Sequence, residues 1–231
     1  MVTADSVILD VKGISKQYRF DDRSVQAVKE VSFQVNEGEL VALLGPSGSG
    51  KTTALSIVGG LLTPDHGVVT VRGEDPYALR ADQRAAWRAE RIGFLFQQFN
   101  LLPYLSALEN VCAQGLAHPR SGMEGDAKKL LEQFGLGERL YHPPGRLSSG
   151  EQQRVALARA VVGAPDVLLA DEPTGNLDDD TAKQVCDLLR ARADGGDAVL
   201  VVTHDPRAAG MADRVVTMKH GQLVQSEGEQ K

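Results

Sequence analysis

Residues 45–52 constrain the fold of this chain more than any other segment. They read GPSGSGKT and satisfy the pattern G-x-x-x-x-G-K-[ST] completely. The continuous apolar run Leu40–Leu44 precedes them, and apolar residues at helical spacing follow them. An apolar run that ends in glycines predicts a buried central strand, and a strand, a glycine loop and a helix in succession form a phosphate cradle. The segment therefore predicts an α/β core with a phosphate site at the end of a strand.

The residue types of this loop suit a nucleoside triphosphate. Glycines let backbone N–H groups converge on phosphate oxygens, and the following helix N-terminus adds partial positive charge. Lys51 supplies a point charge for the β- and γ-phosphates, and the Thr52 hydroxyl is a suitable ligand for Mg²⁺, a hard ion that prefers oxygen. The predicted nucleotide-binding residues of the loop are Gly45, Pro46, Ser47, Gly48, Ser49, Gly50, Lys51, Thr52 and Thr53.

Two carboxylates follow a second apolar run. Residues 167–170 read VLLA, and Asp171 and Glu172 come next. Ligands collect at the carboxyl ends of parallel strands, which predicts Asp171 beside the magnesium. Glu172, one residue further, is predicted to orient or deprotonate the water that attacks the γ-phosphorus. The alternative is an Asp-Glu pair that only begins a solvated turn, and the glycine loop upstream disfavours it.

Length, charge and hydropathy exclude several classes of protein. The 231 residues fit one sizeable core with a small satellite lobe. A net charge of −6 argues against sequence-independent binding to nucleic acid, so no nucleic-acid partner is expected. The first residues lack the basic segment followed by an apolar segment that is typical of a signal peptide. No apolar run approaches the roughly 18 residues that a membrane-spanning helix requires. We therefore expect a cytosolic chain that does not cross a membrane by itself.

The sequence pattern changes character between about residues 99 and 163. Strand-like and helix-like segments alternate on either side, which predicts a mostly parallel sheet. The intervening stretch has helical patterns divided by Pro/Gly-rich breaks near residues 118–125 and 142–145. We predict a single domain over residues 1–231, with residues 1–98 and 164–231 as the catalytic α/β core and residues 99–163 as a helical subdomain.

Further motifs make the chain resemble the nucleotide-binding subunits of ABC transporters over almost its full length. Residues 147–154 read LSSGEQQR and look like the family's LSGGQ-x-R signature. Gln97 matches the Q-loop glutamine, residues 175–178 match the D-loop, and His204 matches the switch histidine. Tyr18 stands where the family places an aromatic ring that stacks on adenine. The competing interpretations are a packing role for Tyr18 and a simple strand-end cap for His204.

The resemblance implies a fold, a reaction and a set of site residues. The fold is a P-loop NTPase (RecA-like) α/β core with an N-terminal antiparallel β part and an inserted α-helical subdomain. The reaction is transport-coupled ATP hydrolysis with ATP and Mg²⁺, and the signature segment caps the ATP of the opposite copy in a homodimer. The implied catalytic residues are Glu172, His204 and Gln97, the metal ligands are Thr52, Gln97 and Asp171, and the further nucleotide contacts are Ser148, Ser149, Gly150, Glu151 and Asp178.

Two residues depart from the family pattern. Ser149 replaces the first glycine of the signature pair, and Glu151 replaces the usual glutamine. A Cβ at Ser149 either crowds the approach to the γ-phosphate or brings a hydroxyl that adds a hydrogen bond. We expect an active enzyme in both cases.

Residues 94–103, FLFQQFNLLP, and residues 107–111, ALENV, resemble one branch of the family. That branch serves macrolide exporters, lipoprotein-release systems, the cell-division pair, and haem or antimicrobial-peptide efflux pumps. It implies an integral-membrane permease subunit on another chain and a peripheral location on the cytoplasmic face of the inner membrane. The cargo candidates are hydrophobic small molecules, haem, peptides or lipoproteins. Residues 99–105 are expected either to dock the permease's coupling helix or to belong to the core of the helical lobe.

Two rival functions are weighed against this one. A soluble ABC ATPase acting on ribosomes usually has two cassettes in one chain, and one acting on DNA has a long coiled coil between the glycine loop and the signature. Here Lys51 and Ser148 are only about a hundred residues apart, and no sustained heptads occur. A non-catalytic ATP-binding subunit would lack Lys51, Glu172 or His204, and all three are present.

Overall fold

The computed structural model describes residues 6–20, 23–175 and 177–224. These ranges contain two β-sheets with helices packed around them. The strands are β1 (Val7–Phe20), β2 (Arg23–Asn36), β3 (Leu40–Leu44), β4 (His66–Val71), β5 (Ile92–Leu95), β6 (Val167–Asp171), β7 (Ala198–Thr203), β8 (Arg214–Lys219) and β9 (Gln222–Val224). The helices are α1 (Lys51–Val58), α2 (Ala81–Arg91), α3 (Ala107–Cys112), α4 (Met123–Gln133), α5 (Ser149–Val161), α6 (Asp179–Asp194) and α7 (Pro206–Gly210).

The larger sheet forms the centre of the fold, with strand order β5-β6-β7-β3-β8-β9. Its first five strands run parallel, and β9 pairs antiparallel with β8. Every residue of β6 and β7 is buried, which explains why both strands read as unbroken apolar runs. The prediction of a mostly parallel sheet is confirmed. The carboxyl ends of β3, β5, β6 and β7 consequently meet at one edge.

The smaller sheet is antiparallel and has the order β2-β1-β4. Our sequence analysis assigned no strand to residues 7–20, although β1 occupies all but the first position of the described range 6–20. The register between β1 and β2 shifts between Val11 and Ile14, at Gly13, whose φ is +60°. Such an irregularity breaks the two-residue alternation by which a half-buried strand is recognised.

Helices α3, α4 and α5 pack on one another between β5 and β6 in the chain. Their shared apolar cluster includes Leu108, Val111, Leu131, Leu136 and Val155, all buried. Helix α3 ends at Cys112, and a 3₁₀ turn over Ala113–Leu116 continues it. The division of the chain at residues 99 and 163 stays a prediction. Within the described ranges, no helix has the length and apolar composition needed to cross a bilayer.

Candidate active site

The glycine loop between β3 and α1 is held tightly against the antiparallel sheet. Gly50 has a φ of +101°, and a Cβ placed on it would lie 2.0 Å from the carbonyl oxygen of Ala27. The Gly221 N–H donates to the Ser49 carbonyl oxygen at 3.0 Å, and the Lys29 N–H donates to the Gly221 carbonyl at 2.7 Å. The loop therefore rests on β2 from one side and on the β8–β9 turn from the other.

A cleft of about 790 Å³ opens above this loop. It is lined by residues 45–53 together with Gln97, Asp171, Glu172 and His204. These residues follow β3, β5, β6 and β7 in turn, so the shared edge of the parallel sheet is what brings them together. Cleft residues that our sequence reading did not single out are Val25, Gln26, Ala27, His220 and Gly221. Among these residues, only His220 and Gly221 could be assigned a local structure from the sequence, because glycine is typical of turns. A turn by itself does not indicate a ligand-binding site.

Lys51 and Asp171 are the two buried charged residues of the cleft, each less than a tenth exposed. The Lys51 Nζ donates to the carbonyl oxygens of Gly45 and Pro46, at 2.8 and 3.0 Å. The Thr52 hydroxyl donates to Asp171 Oδ1 at 3.4 Å. Burial raises the pKa of Asp171 above its ordinary value, and the Thr52 hydrogen bond partly opposes that shift. A cation placed here would remove the cost of burying the carboxylate.

The donor chemistry of the cleft fits a nucleotide with magnesium. Thr52, Asp171 and Gln97 present oxygen ligands, which Mg²⁺ prefers. In the described part of the chain, no group of three or more His, Cys, Asp or Glu side chains is arranged to hold a metal alone. Magnesium is commonly bound through one or two carboxylates plus substrate phosphates, so a small set of protein ligands is appropriate. The buried Ser49 Oγ also lacks a hydrogen-bond partner among the described residues.

Glu172 is held in a strained backbone conformation directly after β6. Its φ is +47°, a left-handed value that is uncommon for a residue with a side chain. Its Oε1 lies 2.9 Å from His204 Nδ1, and the His204 backbone N–H donates to Oε2 at 3.3 Å. The Glu172 N–H donates to the Val202 carbonyl at 2.8 Å. Strain of this kind concentrates at functional sites, where surrounding contacts hold it in place. The carboxylate is thus fixed in orientation over the cleft.

Tyr18 lies beside the cleft and does not line it. It is in β1, opposite Val25 of β2. Val25 lines the cleft, whereas Tyr18 lines a neighbouring cavity of about 610 Å³. Gln26 contributes to both cavities.

The signature segment stands apart from the cleft of its own chain. Among the described residues, none of positions 147–152 lines that cleft. Ser148 caps α5: its Oγ accepts the Glu151 N–H at 3.2 Å, and Glu151 Oε2 accepts the Ser148 N–H at 2.8 Å. Glu151 Oε1 also accepts a hydrogen bond from Arg139 Nε at 3.2 Å. The Ser148 N–H and Arg139 hold the pKa of Glu151 below its ordinary value. The departure at Glu151 therefore has a structural role as the second half of a charged capping box.

The signature end of α5 touches the D-loop end of α6. A Cβ on Gly150 would lie 3.3 Å from Thr181 Cγ2. Asp178 caps α6 by accepting from the Thr181 N–H at 3.0 Å and the Thr181 hydroxyl at 2.7 Å. These bonds lower the pKa of Asp178. Asn176 lies outside the described residues. Asp178 is thus directed at its own helix in the single chain, while Ser148 and Ser149 are exposed.

Comparison with known proteins gives concordant results. The "ABC transporter" family profile matches residues 28–175. The chain belongs to the ABC transporter ATPase family. The lipoprotein-releasing system ATP-binding protein LolD of Shewanella sp. (strain MR-4) is 46% identical over 220 residues, 94% of this chain and 95% of that protein. The macrolide export ATP-binding/permease protein MacB of Bdellovibrio bacteriovorus is 41% identical over 221 residues, 95% of this chain and 34% of that protein.

Solved structures of ABC cassettes share the whole fold. A dimeric post-hydrolysis state of the ATP-binding cassette MJ0796 bound to ADP and Pi has a TM-score of 0.89 at 36% identity, covering 97% of this chain and 100% of that chain. The predicted family, fold and reaction are confirmed. This ABC ATPase is the ATP-binding subunit of a transporter of the LolD/MacB type. The roles of individual site residues stay predictions.

A polar network links the two ends of the ABC ATPase site. The Thr174 hydroxyl donates to Asp205 Oδ2 at 2.9 Å, and Arg207 Nη2 pairs with the same oxygen at 2.9 Å. Arg207 Nη1 also pairs with Asp179, in the first turn of α6, at 2.5 Å. The Arg207 guanidinium holds the pKa of Asp205 at about 2. The residue after His204 is thereby connected to the helix that contacts Gly150.

Proposed function

We propose that two copies of this chain hold ATP between them and drive a separate permease from the cytoplasmic face of the inner membrane. The observation that carries this is the separation of two half-sites. One chain assembles four strand ends around its glycine loop, whereas its signature helix presents exposed donors that lie outside this cleft. A second copy related by a two-fold axis would close both half-sites at once. The dimeric cassettes among the structural relatives support this arrangement.

In the cleft, the loop glycines and Lys51 would bind the phosphates. Thr52, Asp171 and Gln97 would hold Mg²⁺, which when bound neutralises charge on the β- and γ-phosphates. Lys51 Nζ now donates to two loop carbonyls and has three hydrogens, so it can exchange one of these bonds for a phosphate oxygen. Tyr18, which is paired with the cleft residue Val25, would stack on the adenine beside the cleft.

Glu172 would accept the proton of the attacking water. Its carboxylate is anchored by two donors of the following switch segment, which sets the direction from which the water approaches. His204 Nδ1 faces Glu172, so Nε2 is the ring nitrogen left for the γ-phosphate. In-line attack requires the water to be held in one direction relative to the γ-phosphate, and a carboxylate with a fixed orientation would hold it there.

The N-terminus of α5 has the chemistry to cap the ATP of the second copy. Ser148 Oγ uses a lone pair to cap the helix, which leaves its hydroxyl hydrogen available to donate. The N–H groups of Ser149 and Gly150 have no intrahelical partner in the first turn. A 13-residue helix also directs the positive end of its dipole at this point. Ser149 is exposed, so its side chain can reach the interface.

The permease would dock beside the Q-loop. Within residues 99–105, Phe99 and Leu101 pack into apolar cores, whereas Leu102 is 47% exposed and Tyr104 is 95% exposed. Both interpretations of this segment are therefore supported, each by different side chains. We propose that these exposed side chains contact the permease, together with a neighbouring groove that is lined by Leu61, Phe94, Phe96 and Leu116. Lipoproteins and macrolides, named for the relatives, are the first cargo classes to test.

Reconstitution tests this function. The chain is purified alone and with the membrane subunit encoded beside it, and ATPase activity is measured in proteoliposomes. We expect the membrane subunit to change turnover at least severalfold, and DNA or ribosomes to leave it unaltered. Stimulation by nucleic acid without any response to the membrane subunit would contradict the proposal.

A further inference from the structure

A buried amide joins the signature helix α5 to the segment that carries Glu172. Gln153 of α5 is 1% exposed, and its Nε2 donates to the Pro173 carbonyl oxygen at 2.8 Å. Because a carbonyl oxygen only accepts, the nitrogen of the amide must be the atom that faces Pro173. Gln153 lies one turn after Gly150 on the same face of α5. Pro173 directly follows Glu172. One hydrogen bond therefore connects the two half-sites inside a single chain.

The amide of Gln153 is only half satisfied. Its Oε1 is buried and has no hydrogen-bond partner among the described residues. Leaving a buried acceptor unpaired costs at least as much free energy as one neutral hydrogen bond contributes, so the amide adds little net stability. An apolar side chain of similar length would fill the same space without that cost. The choice of glutamine is therefore explained better by the position it gives Pro173 than by the stability of the fold.

The backbone at Glu172 depends on its surroundings for its conformation. Its φ is +47°, whereas a residue that precedes a proline ordinarily takes an extended conformation. Three hydrogen bonds hold this strained step: the Glu172 N–H donates to the Val202 carbonyl at 2.8 Å, the Gly175 N–H donates to the Glu172 carbonyl at 3.1 Å, and Gln153 donates to Pro173. The first two come from the neighbouring strand and the following turn. The third comes from α5, so a displacement of α5 would change the direction of the Glu172 carboxylate.

Helix α5 is built to carry a movement of its N-terminus to Gln153. Five residues separate Gln153 from Ser148, which is about 7.5 Å along the helix axis. The next turn, residues 155–158, is entirely buried and packs into two apolar clusters. Close packing on two sides makes this part of the helix move as one body. A change at the Ser148 end therefore reaches the Pro173 carbonyl.

The ion pair between Arg207 and Asp179 offers a second connection between the same regions. It joins the switch segment to the first turn of α6 at 2.5 Å. The Asp179 side chain is 96% exposed and that of Arg207 is 49% exposed, so water and salt weaken this pair. The buried Gln153 hydrogen bond is shielded from solvent and acts directly on the residue after Glu172. It is the stronger of the two candidates for coupling the half-sites.

We infer that Gln153 is a positioning residue that orients the Glu172 carboxylate according to whether α5 of the same chain has engaged the ATP of the second copy. This inference rests on the proposed function, and it adds a regulatory contact to it. When Ser148 and the first N–H groups of α5 bind the phosphates held by the second copy, α5 is fixed, and through Pro173 the base of its own chain is fixed as well. Each base then becomes fully oriented only when its chain caps the other ATP.

Gln153→Met removes the donor and keeps the length of the side chain. Turnover of the purified chain should fall at least about tenfold, because a misdirected base loses its alignment with the water, while the KM for ATP should stay within a few fold of wild type. Gln114→Met is the matched control. Gln114 Nε2 also donates to a backbone carbonyl, that of Ala89 at 3.0 Å, and Gln114 does not line the ATP cleft. Equal losses of turnover in the two variants would overturn the inference.

Mixed dimers distinguish positioning of Glu172 from support of the signature end. Two differently tagged chains are isolated as an ATP-bound dimer that contains one Gln153→Met and one Glu172→Gln substitution. In the first dimer the substitutions lie on different chains, so the working base belongs to the chain with Gln153→Met. In the second they lie on the same chain, so the working base belongs to the unchanged chain and the altered α5 caps its ATP. A folding defect affects both dimers equally, because both contain the same substitutions.

Single-turnover hydrolysis, started by adding Mg²⁺, gives the answer. The first dimer should hydrolyse ATP at least about tenfold more slowly than the second. Equal rates, or a slower second dimer, would overturn the inference, while formation of the ATP-dependent dimer still supported the proposed function. If folded chains with Glu172→Gln form no ATP-dependent dimer, the proposed function is rejected and the inference with it.

Discussion

The cleft above the glycine loop and the N-terminus of α5 differ in how complete they are within one chain. In the cleft, Lys51 is buried against loop carbonyls, and His204 fixes the Glu172 carboxylate. At α5, Ser148 and Ser149 are exposed, and only the capping box with Glu151 orders them. One half-site is preorganised for chemistry, and the other is a set of donors on a rigid helix end. In the proposed dimer, catalysis and assembly would therefore depend on separate parts of the same fold.

The largest expected effect comes from removing the carboxylate of the complete half-site. Glu172→Gln keeps the shape of the side chain and loses the base, so turnover should fall at least about 10²-fold. ATP affinity should remain within a few fold, and a nucleotide-bound dimer should accumulate. Steady-state hydrolysis and equilibrium ATP binding measure the two quantities. Turnover within about threefold of wild type would show that the cleft is not preorganised around this residue.

Lys51→Ala should weaken nucleotide binding in the same cleft. The variant removes the only lysine that lines the described cleft, and loss of a charge at a phosphate costs about tenfold or more in affinity. Lys128→Ala, on the exposed side of α4, is the control and should bind normally. Titration with a fluorescent ATP analogue gives both dissociation constants. Unchanged affinity in Lys51→Ala would contradict the assignment of the loop as the phosphate site.

Ser148→Ala separates assembly from helix capping. Ser106 caps α3 with Glu109 in the same kind of capping box, so Ser106→Ala removes an equal cap elsewhere. Each variant should lose roughly 1 kcal/mol of stability. Only Ser148→Ala should also lower ATPase activity several-fold at limiting protein concentration, because it weakens dimer closure.

In wild type, specific activity should rise with protein concentration. A flat profile for a verified monomer, or equal losses in the two variants, would remove the distinction between the half-sites.

The smallest expected effect concerns the polar network between the two half-sites. The pKa of Asp205 is about 2 in the folded chain, below the ordinary Asp value of about 3.9. A lowered folded-state pKa stabilises the protein above the unfolded pKa, and this stabilisation is lost as pH falls from about 4 towards 2. The difference in unfolding free energy between wild type and Asp205→Asn should therefore be full at neutral pH and shrink below pH 4. Urea unfolding across that range measures it, and a difference that does not vary with pH would contradict the network.

Local patterns predicted the cleft well because its parts lie at the ends of buried strands. Residues 45–52 and the Asp171-Glu172 pair follow apolar runs, and parallel strands bring such ends to one edge. The contacts of Gly50 with Ala27 and of Ser49 with Gly221 join segments far apart in the chain, and no local pattern specifies them.

The signature end was predicted less fully, for a different reason. Ser148 and Glu151 stand three residues apart in the S-x-x-E pattern of a capping box, so the role of Glu151 was readable from the sequence. Its ion pair with Arg139 was not, because that contact depends on how the preceding turn folds. The position of Tyr18 beside the cleft likewise depends on the irregular register between β1 and β2.

A structure of Glu172→Gln with ATP and Mg²⁺ tests the two-half-site account most directly. The account predicts a two-fold dimer in which the Ser148 hydroxyl and the first N–H groups of α5 from one copy lie about 3 Å from phosphate oxygens held by residues 45–53 of the other. A nucleotide-bound monomer with α5 turned onto its own cleft, or a dimer whose α5 ends face no phosphate, would contradict it.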